Sequence, residues 1–219
     1  VLSRGLGDVY KRQISFRSNI NRLAETLIDE GQKEKAITVL DLAMEKMPIE
    51  TFGYYSLVIP IAAAYYRAGA LDKAQKIVTT IASGYEEYMR YYAQWNRDEQ
   101  LMLMEDIVAN VERYKSLLTE IIKAKDLKSM TALYDSFFES IMPFSYIYGK
   151  YDFYTQLTPF VAALYDSDQV EFARDLSTEI AQQYIDLLKR FLELEDEQLS
   201  YFEMEIGIET VSYTHLTLP

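Results

Sequence analysis

Apolar side chains along this chain return every three to four residues, as in Leu23, Leu27, Ala36, Leu40 and Ala43. That is the period of an amphipathic helix and not the alternation of a strand. The pattern predicts helices over 17–30, 34–46, 54–68, 71–83, 85–96, 99–124, 127–141, 153–166 and 169–200. The punctuation agrees. Gly31 and Gly69 follow helical stretches and suit a left-handed C-cap, which costs a residue with a side chain extra energy. Pro60 and Pro159 fall in or near the first turn of their helices, where a missing amide donor is harmless.

The helices repeat as pairs. Leu23-Ala24, Leu27, Gly31, Ala36, Leu40, Ala43 and Pro48 form one unit. Anchored on Ala74, which lies 38 residues after Ala36, the same spacing selects Ile61, Ala62, Tyr65, Gly69, Val78 and Ile81, with Glu86 in place of the proline. Tyr55, Pro60, Ala63, Ala64, Tyr66 and Ala74 return 99 residues later as Tyr154, Pro159, Ala162, Ala163, Tyr165 and Ala173. In that copy Asp168 replaces Gly69 and offers a capping box with Glu171. A weaker copy is anchored on Met130, with Leu117, Leu118 and Ile121 before it and Tyr134, Phe137 and Met142-Pro143 after it. This spacing resembles the tetratricopeptide repeat, whose standard period is about 34 residues. Small residues such as Ala24, Ala36 and Ala43 would let paired helices approach, while Leu23, Leu27 and Leu40 fill the groove.

The expected fold is therefore all-α, a tetratricopeptide-like solenoid of helical hairpins. Its single domain covers 14–210, with repeats at about 17–48, 55–86, 111–143 and 154–186. An inserted helical segment near Glu86 to Asn110 separates two pairs of repeats. Residues 1–13 and 211–219 lack the helical period and are expected to be disordered.

Composition narrows the function. Apolar residues make up 49% of 219, enough for a core, and the net charge is −12. So acidic a surface, without a basic stripe, repels nucleic-acid phosphate and anionic lipid headgroups. The absence of cysteine excludes disulfides and thiolate metal sites. The apolar run Tyr54–Tyr66 contains Ser56 and Pro60 and is too short to cross a bilayer, so no direct membrane insertion is expected.

Catalytic, cofactor and metal residues are not expected. Glu86-Glu87, Glu193, Glu195, Asp196 and Glu197 lie in charge-dense stretches typical of solvated helix faces, and an acid–base role needs burial or a tuning partner. Glu203 and Glu205 do not share a helical face as metal ligands would. Gly5 and Gly7 lack the strand and helix of a phosphate loop, and the one histidine, His215, lies in the C-terminal tail. An array of this type lines its concave face with first helices. That face would carry Asn21, Glu25 and Ile28, then Ser56, Ala63, Tyr66 and Arg67, then Thr155, Ala162 and Tyr165. Tyr85, Tyr88, Tyr91, Tyr92 and Trp95 form one helical stripe, expected to pack as core against the next repeat and alternatively to offer a partner platform. The partner-binding candidates are Asn21, Glu25, Tyr66, Arg67, Tyr88, Tyr92, Trp95 and Tyr165, and the partner a protein or peptide.

Two resemblances add to this. The runs RLAETLIDEGQKEKAITVLDLAMEKMPIE, YYSLVIPIAAAYYRAGALDKAQKI and SGYEEYMRYY resemble the C-terminal soluble region of a bacterial family of polytopic membrane proteins. The transmembrane part of that family is similar to protein O-mannosyltransferases. The resemblance implies a membrane-bound, glycosyltransferase-like parent, with this chain as its helical tail, on the periplasmic side, and the parent's membrane domain as a partner. It carries over no catalytic residue. VLSRGLGDVYKRQ and VSYTHLTLP, at the two ends, resemble translated sequencing-adaptor read-through; if both have that origin, the chain is an internal piece of a longer protein. The expected function is thus a non-catalytic interaction or scaffolding module. The alternatives are a free-standing soluble adaptor for peptides or helices and, more distantly, an all-helical enzyme using carboxylates.

Overall fold

The computed structural model describes residues 2–52, 55–147 and 157–192, with side chains described for 14–51, 56–147, 157–186 and 188–189. Tyr154, Thr155, Glu193, Glu195, Asp196, Glu197, Glu203, Glu205 and His215, and the tail 211–219, lie outside these residues. Regular structure among the described residues is entirely helical. In chain order come α1 (Leu2–Asp29), α2 (Lys33–Lys46), α3 (Ile49–Phe52), α4 (Ile59–Ala68) and α5 (Leu71–Tyr92). They are followed by α6 (Arg97–Met102), α7 (Met104–Lys123), α8 (Leu127–Ile141), α9 (Thr158–Asp166) and α10 (Val170–Leu192). Short 3₁₀ turns at Tyr55–Leu57 and Met142–Phe144 link α3 to α4 and follow α8.

Several boundaries depart from the expected ones, among them the start of α4, which lies at Ile59 and not at 54, after the unexpected short α3. α1 starts at Leu2, so residues 2–13, expected to be disordered, are helical; no proline interrupts 2–16, and an established helix propagates at one bond per added residue. α5 runs through Gly84 without a break. The helical cost of that glycine, about 1 kcal/mol, is outweighed by the apolar face it belongs to, where Val78, Ile81, Tyr85, Met89 and Tyr92 are all buried. The expected helix over 99–124 is divided at Leu103. Asn96 caps α6: its Oδ1 accepts from the Glu99 amide and Glu99 Oε2 accepts from the Asn96 amide, each at 3.1 Å. As expected, Pro60 and Pro159 lie in the first turns of α4 and α9.

Four helical hairpins, α1–α2, α4–α5, α7–α8 and α9–α10, close on the same turn. A left-handed residue stands at each: Gly31 (φ 77°), Gly69 (φ 85°), Lys125 (φ 58°) and Asp168 (φ 66°). The next amide reaches back to the same carbonyl position every time, Gln32 to Leu27, Ala70 to Tyr65, Asp126 to Ile121 and Gln169 to Leu164, at 2.7 to 3.2 Å. This is the six-to-one bond of a Schellman turn. Asp168 is hence a left-handed C-cap residue and not the start of a capping box, because α10 begins at Val170 and places Gln169 at its N-cap.

Each turn precedes a buried anchor: Ala36, Ala74 and Met130 are 0% exposed and Ala173 is 3%. α4 packs on both α1 and α2, α7 packs on both α4 and α5, α9 packs on α7, and α8 packs on α5. The core changes character along the chain. Alanines 24, 36, 62, 64 and 74 dominate the first two hairpins. Rings take over in the next two, with Tyr114–Phe137 centroids at 5.1 Å and Phe137–Phe160 at 5.7 Å, both edge-to-face. Leu23 does not fill the interhelical groove: it is 48% exposed, since Ala24, one helical step on, takes the inward position.

Candidate functional site

The hairpin turns are joined to one another by polar contacts along one edge. Arg67 of α4 pairs with Asp29 at the end of α1. Tyr66 donates its hydroxyl to Asp126 Oδ2 at 2.8 Å, linking the second turn to the third. Gln169 Nε2 donates to the Ile122 carbonyl at 3.4 Å, linking the fourth to the third. Asp126 is the centre of the best-connected group. Oδ2 also accepts from Gln75 Nε2 at 3.0 Å, and Oδ1 accepts from the Ser129 amide at 3.2 Å, capping α8. Burial pushes this carboxyl up, but the hydrogen bonds from Ser129, Gln75 and Tyr66 outweigh it and hold the group below the ordinary aspartate range.

A second acid, Asp41 of α2, accepts from the Tyr65 hydroxyl at 2.8 Å and pairs with Lys73. A third, Glu86 of α5, accepts from the Tyr114 hydroxyl at 2.9 Å. Tyr65 and Tyr114 are buried and Tyr66 is partly buried, each with its phenol satisfied. Burial first, then the neighbouring carboxylate, pushes Tyr65, Tyr66 and Tyr114 well above the usual tyrosine range. In the resting state these groups are hydrogen-bond donors that fasten one hairpin to the next.

The expected partner-binding residues fall into separate places. Asn21 and Glu25, both partly buried on α1, bond each other at 3.2 Å. Tyr66 and Arg67 are committed to the turn edge. Tyr165 of α9 is 65% exposed, and Ala162, one turn earlier, is exposed beside it. The tyrosine stripe of α5 divides. Tyr85 and Tyr92 enter the core with Met89, while Tyr88, Tyr91 and Trp95 stay 39–50% exposed on the adjoining flank. Core packing therefore accounts for two of its five rings. Asp126, Gln75 and Ser129 are absent from the expected set, which held only Tyr66 of this group, although an aspartate directly before an apolar run is a helix-start signal. Its partners Tyr66 and Gln75 are more than 50 residues away in sequence, so only the packing brings them together.

Two recesses open between hairpins. One of about 340 Å³ is lined by Asp41, Met44, Ile49, Tyr65, Lys73 and Ile77, where α2 and α3 meet α4 and α5. The other, about 290 Å³, lies between α5 and α8 and includes Glu86, Arg90, Ser136, Glu139 and Ser140. Among the described residues no group of three or more His, Cys, Asp or Glu is placed to hold a metal ion. None of the described helices is long and apolar enough to cross a membrane. No protein-family model matches the chain, and no curated protein or solved structure is significantly similar to it.

Proposed function

We propose that this chain is a non-catalytic helical-repeat module of the tetratricopeptide type that holds a protein or peptide partner, as the soluble tail of a membrane-bound glycosyltransferase-like protein. The observation that carries the first part is the fourfold recurrence of one turn, with Gly31, Gly69, Lys125 and Asp168 each five residues before a buried anchor. A unit that cannot bury both of its apolar faces alone has to stack, and stacked units present long surfaces suited to binding. The packing order supports an array: α4 leans on both helices of the first hairpin, and α7 on both helices of the second. The membrane-tail part rests on the resemblance of the stretch from Asn19 to Tyr92 to the C-terminal region of that family.

Selection of peptides from a display library on the purified chain, followed by amide-exchange mapping of the winners, tests the binding role. Protection concentrated on one flank of the hairpins is the expected result. Failure to select any ligand, together with reproducible sugar transfer by the purified chain, would overturn it. The tail assignment is tested by the upstream genomic frame: transmembrane spans in frame support it, and a start codon close to Ile14 replaces it with the free-standing adaptor.

A further inference from the structure

Tyr88 and Tyr91 at the C-terminal end of α5, and Trp95 just beyond it, are exposed, whereas Tyr92 is buried. Tyr91 lies between Tyr92 and Trp95, with ring centres 5.6 and 5.9 Å away and interplanar angles of 64° and 74°. Tyr91 and Trp95 are exposed, and the face of an aromatic ring is the negative side of its quadrupole. Formal negative charge borders them. Asp106, in the first turn of α7, stands one turn before Asn110, whose Nδ2 donates to the Asp106 carbonyl at 2.9 Å and to the Tyr92 hydroxyl at 3.4 Å. Glu87, exposed, stands one turn before Tyr91 on the same flank of α5. Three cations nearby have contacts of their own: Arg97 covers the Tyr146 ring at 4.4 Å, Arg113 donates to Asn110 Oδ1 at 3.3 Å, and Arg90 lines the recess shared with Glu86 and Glu139. The Arg97–Tyr146 contact shows the same chemistry satisfied within the chain a few residues away.

We propose that Tyr88, Tyr91 and Trp95, bordered by Asp106 and Glu87, form a cation-accepting surface that takes the Lys or Arg side chain of a basic segment on a partner protein. This rests on the partner-holding role above and specifies the partner's chemistry. Aromatic faces attract an ammonium or guanidinium, and the adjacent carboxylates supply the longer-range pull. The net charge of −12 draws basic segments to the whole surface, so what distinguishes this one is its dependence on rings and not on charge alone.

Trp95 is the single tryptophan, so its fluorescence reports on this surface directly. The probes are a short peptide alternating Lys and Ala, the same peptide with every lysine acetylated, and choline as a free small cation. The expected result is a saturable Trp95 response to the lysine peptide and none to the acetylated one. Tyr91→Leu keeps every charge and should weaken the lysine peptide by about fivefold, while Asp106→Asn should weaken it as well and flatten its salt dependence. Helical circular dichroism of both variants, matching that of the parent, separates lost binding from lost folding. Binding of the peptide with unchanged affinity to Tyr91→Leu would overturn the proposal and leave the partner-holding role standing. A response to choline without any to the lysine peptide would overturn it too, as would equal responses to the charged and acetylated peptides.

Discussion

Asp126→Ala is the most searching perturbation of how the hairpins are joined. The substitution removes three acceptor contacts at once: the cap to the Ser129 amide at 3.2 Å, the bond from Tyr66 at 2.8 Å and the bond from Gln75 at 3.0 Å. Loss of an N-cap costs about 1 kcal/mol, and each hydrogen bond to a charged acceptor contributes about 1.5–3 kcal/mol. Against this, the variant no longer buries a carboxylate that is 7% exposed, which returns part of the desolvation penalty. Tyr66 and Gln75 are only partly buried, so water re-satisfies some of what they lose. The net expectation is a loss of about 2–4 kcal/mol for Asp126→Ala and about 1 kcal/mol for Asp126→Asn, which keeps the cap oxygen. Urea unfolding followed by far-UV circular dichroism and by Trp95 fluorescence measures it, coincidence of the two probes testing whether one transition describes the chain. The pH dependence has a definite sign. A carboxyl held below its unfolded value contributes stability that is present above that value, near pH 4, and is lost as pH falls through the folded one. The difference between the parent and Asp126→Asn should therefore shrink below about pH 4. A loss under about 0.5 kcal/mol for Asp126→Ala, or equal losses for the two variants, would refute the role assigned to this residue.

The four turns give opposite signs at equivalent positions. No atom lies within 4 Å of a side chain added at Gly31 or Gly69, so Gly69→Ala should cost about 1 kcal/mol through its positive φ alone, whereas Lys125→Gly and Asp168→Gly should each stabilise by about 0.5 kcal/mol; thermal denaturation checks all three. Ala74→Leu, at a fully buried anchor, should destabilise by about 1–3 kcal/mol, while Leu23→Ala, nearly half exposed, should change stability by less than about 0.5 kcal/mol in the same assay. Tyr65, Tyr66, Tyr114 and Tyr134 have ionisation raised above the unfolded value, so their contribution is complete below about pH 10 and falls as pH rises beyond it. Tyrosinate absorbance and loss of helical circular dichroism should consequently rise together in alkaline titration. Ionisation of all four in a chain that keeps its helicity would contradict their burial.

Helical class, the hairpin pairs and the buried anchors were legible in the residues, because they depend on local periodicity and on where glycine is needed. Ala36, Ala74, Met130 and Ala173 could be chosen from spacing alone. What spacing cannot convey is rotation by a single helical step: it puts both Leu23 and Ala24 inside, and only Ala24 is there. Spacing puts Asp168 in the place of Gly69 but gives it a capping box; that Asp168 and Lys125 both take the left-handed conformation is seen only in the backbone, where neighbouring Schellman bonds make up for the strain of a side chain. The division of the α5 tyrosines into buried and exposed flanks was settled by α7 and α8, which cover one side of the helix only. Apart from its local cap to Ser129, the Asp126 group belongs to the tertiary level. Its donors come from α4, α5 and α8, and a carboxylate acquires its role from whichever donors packing sets around it, not from its place in the chain.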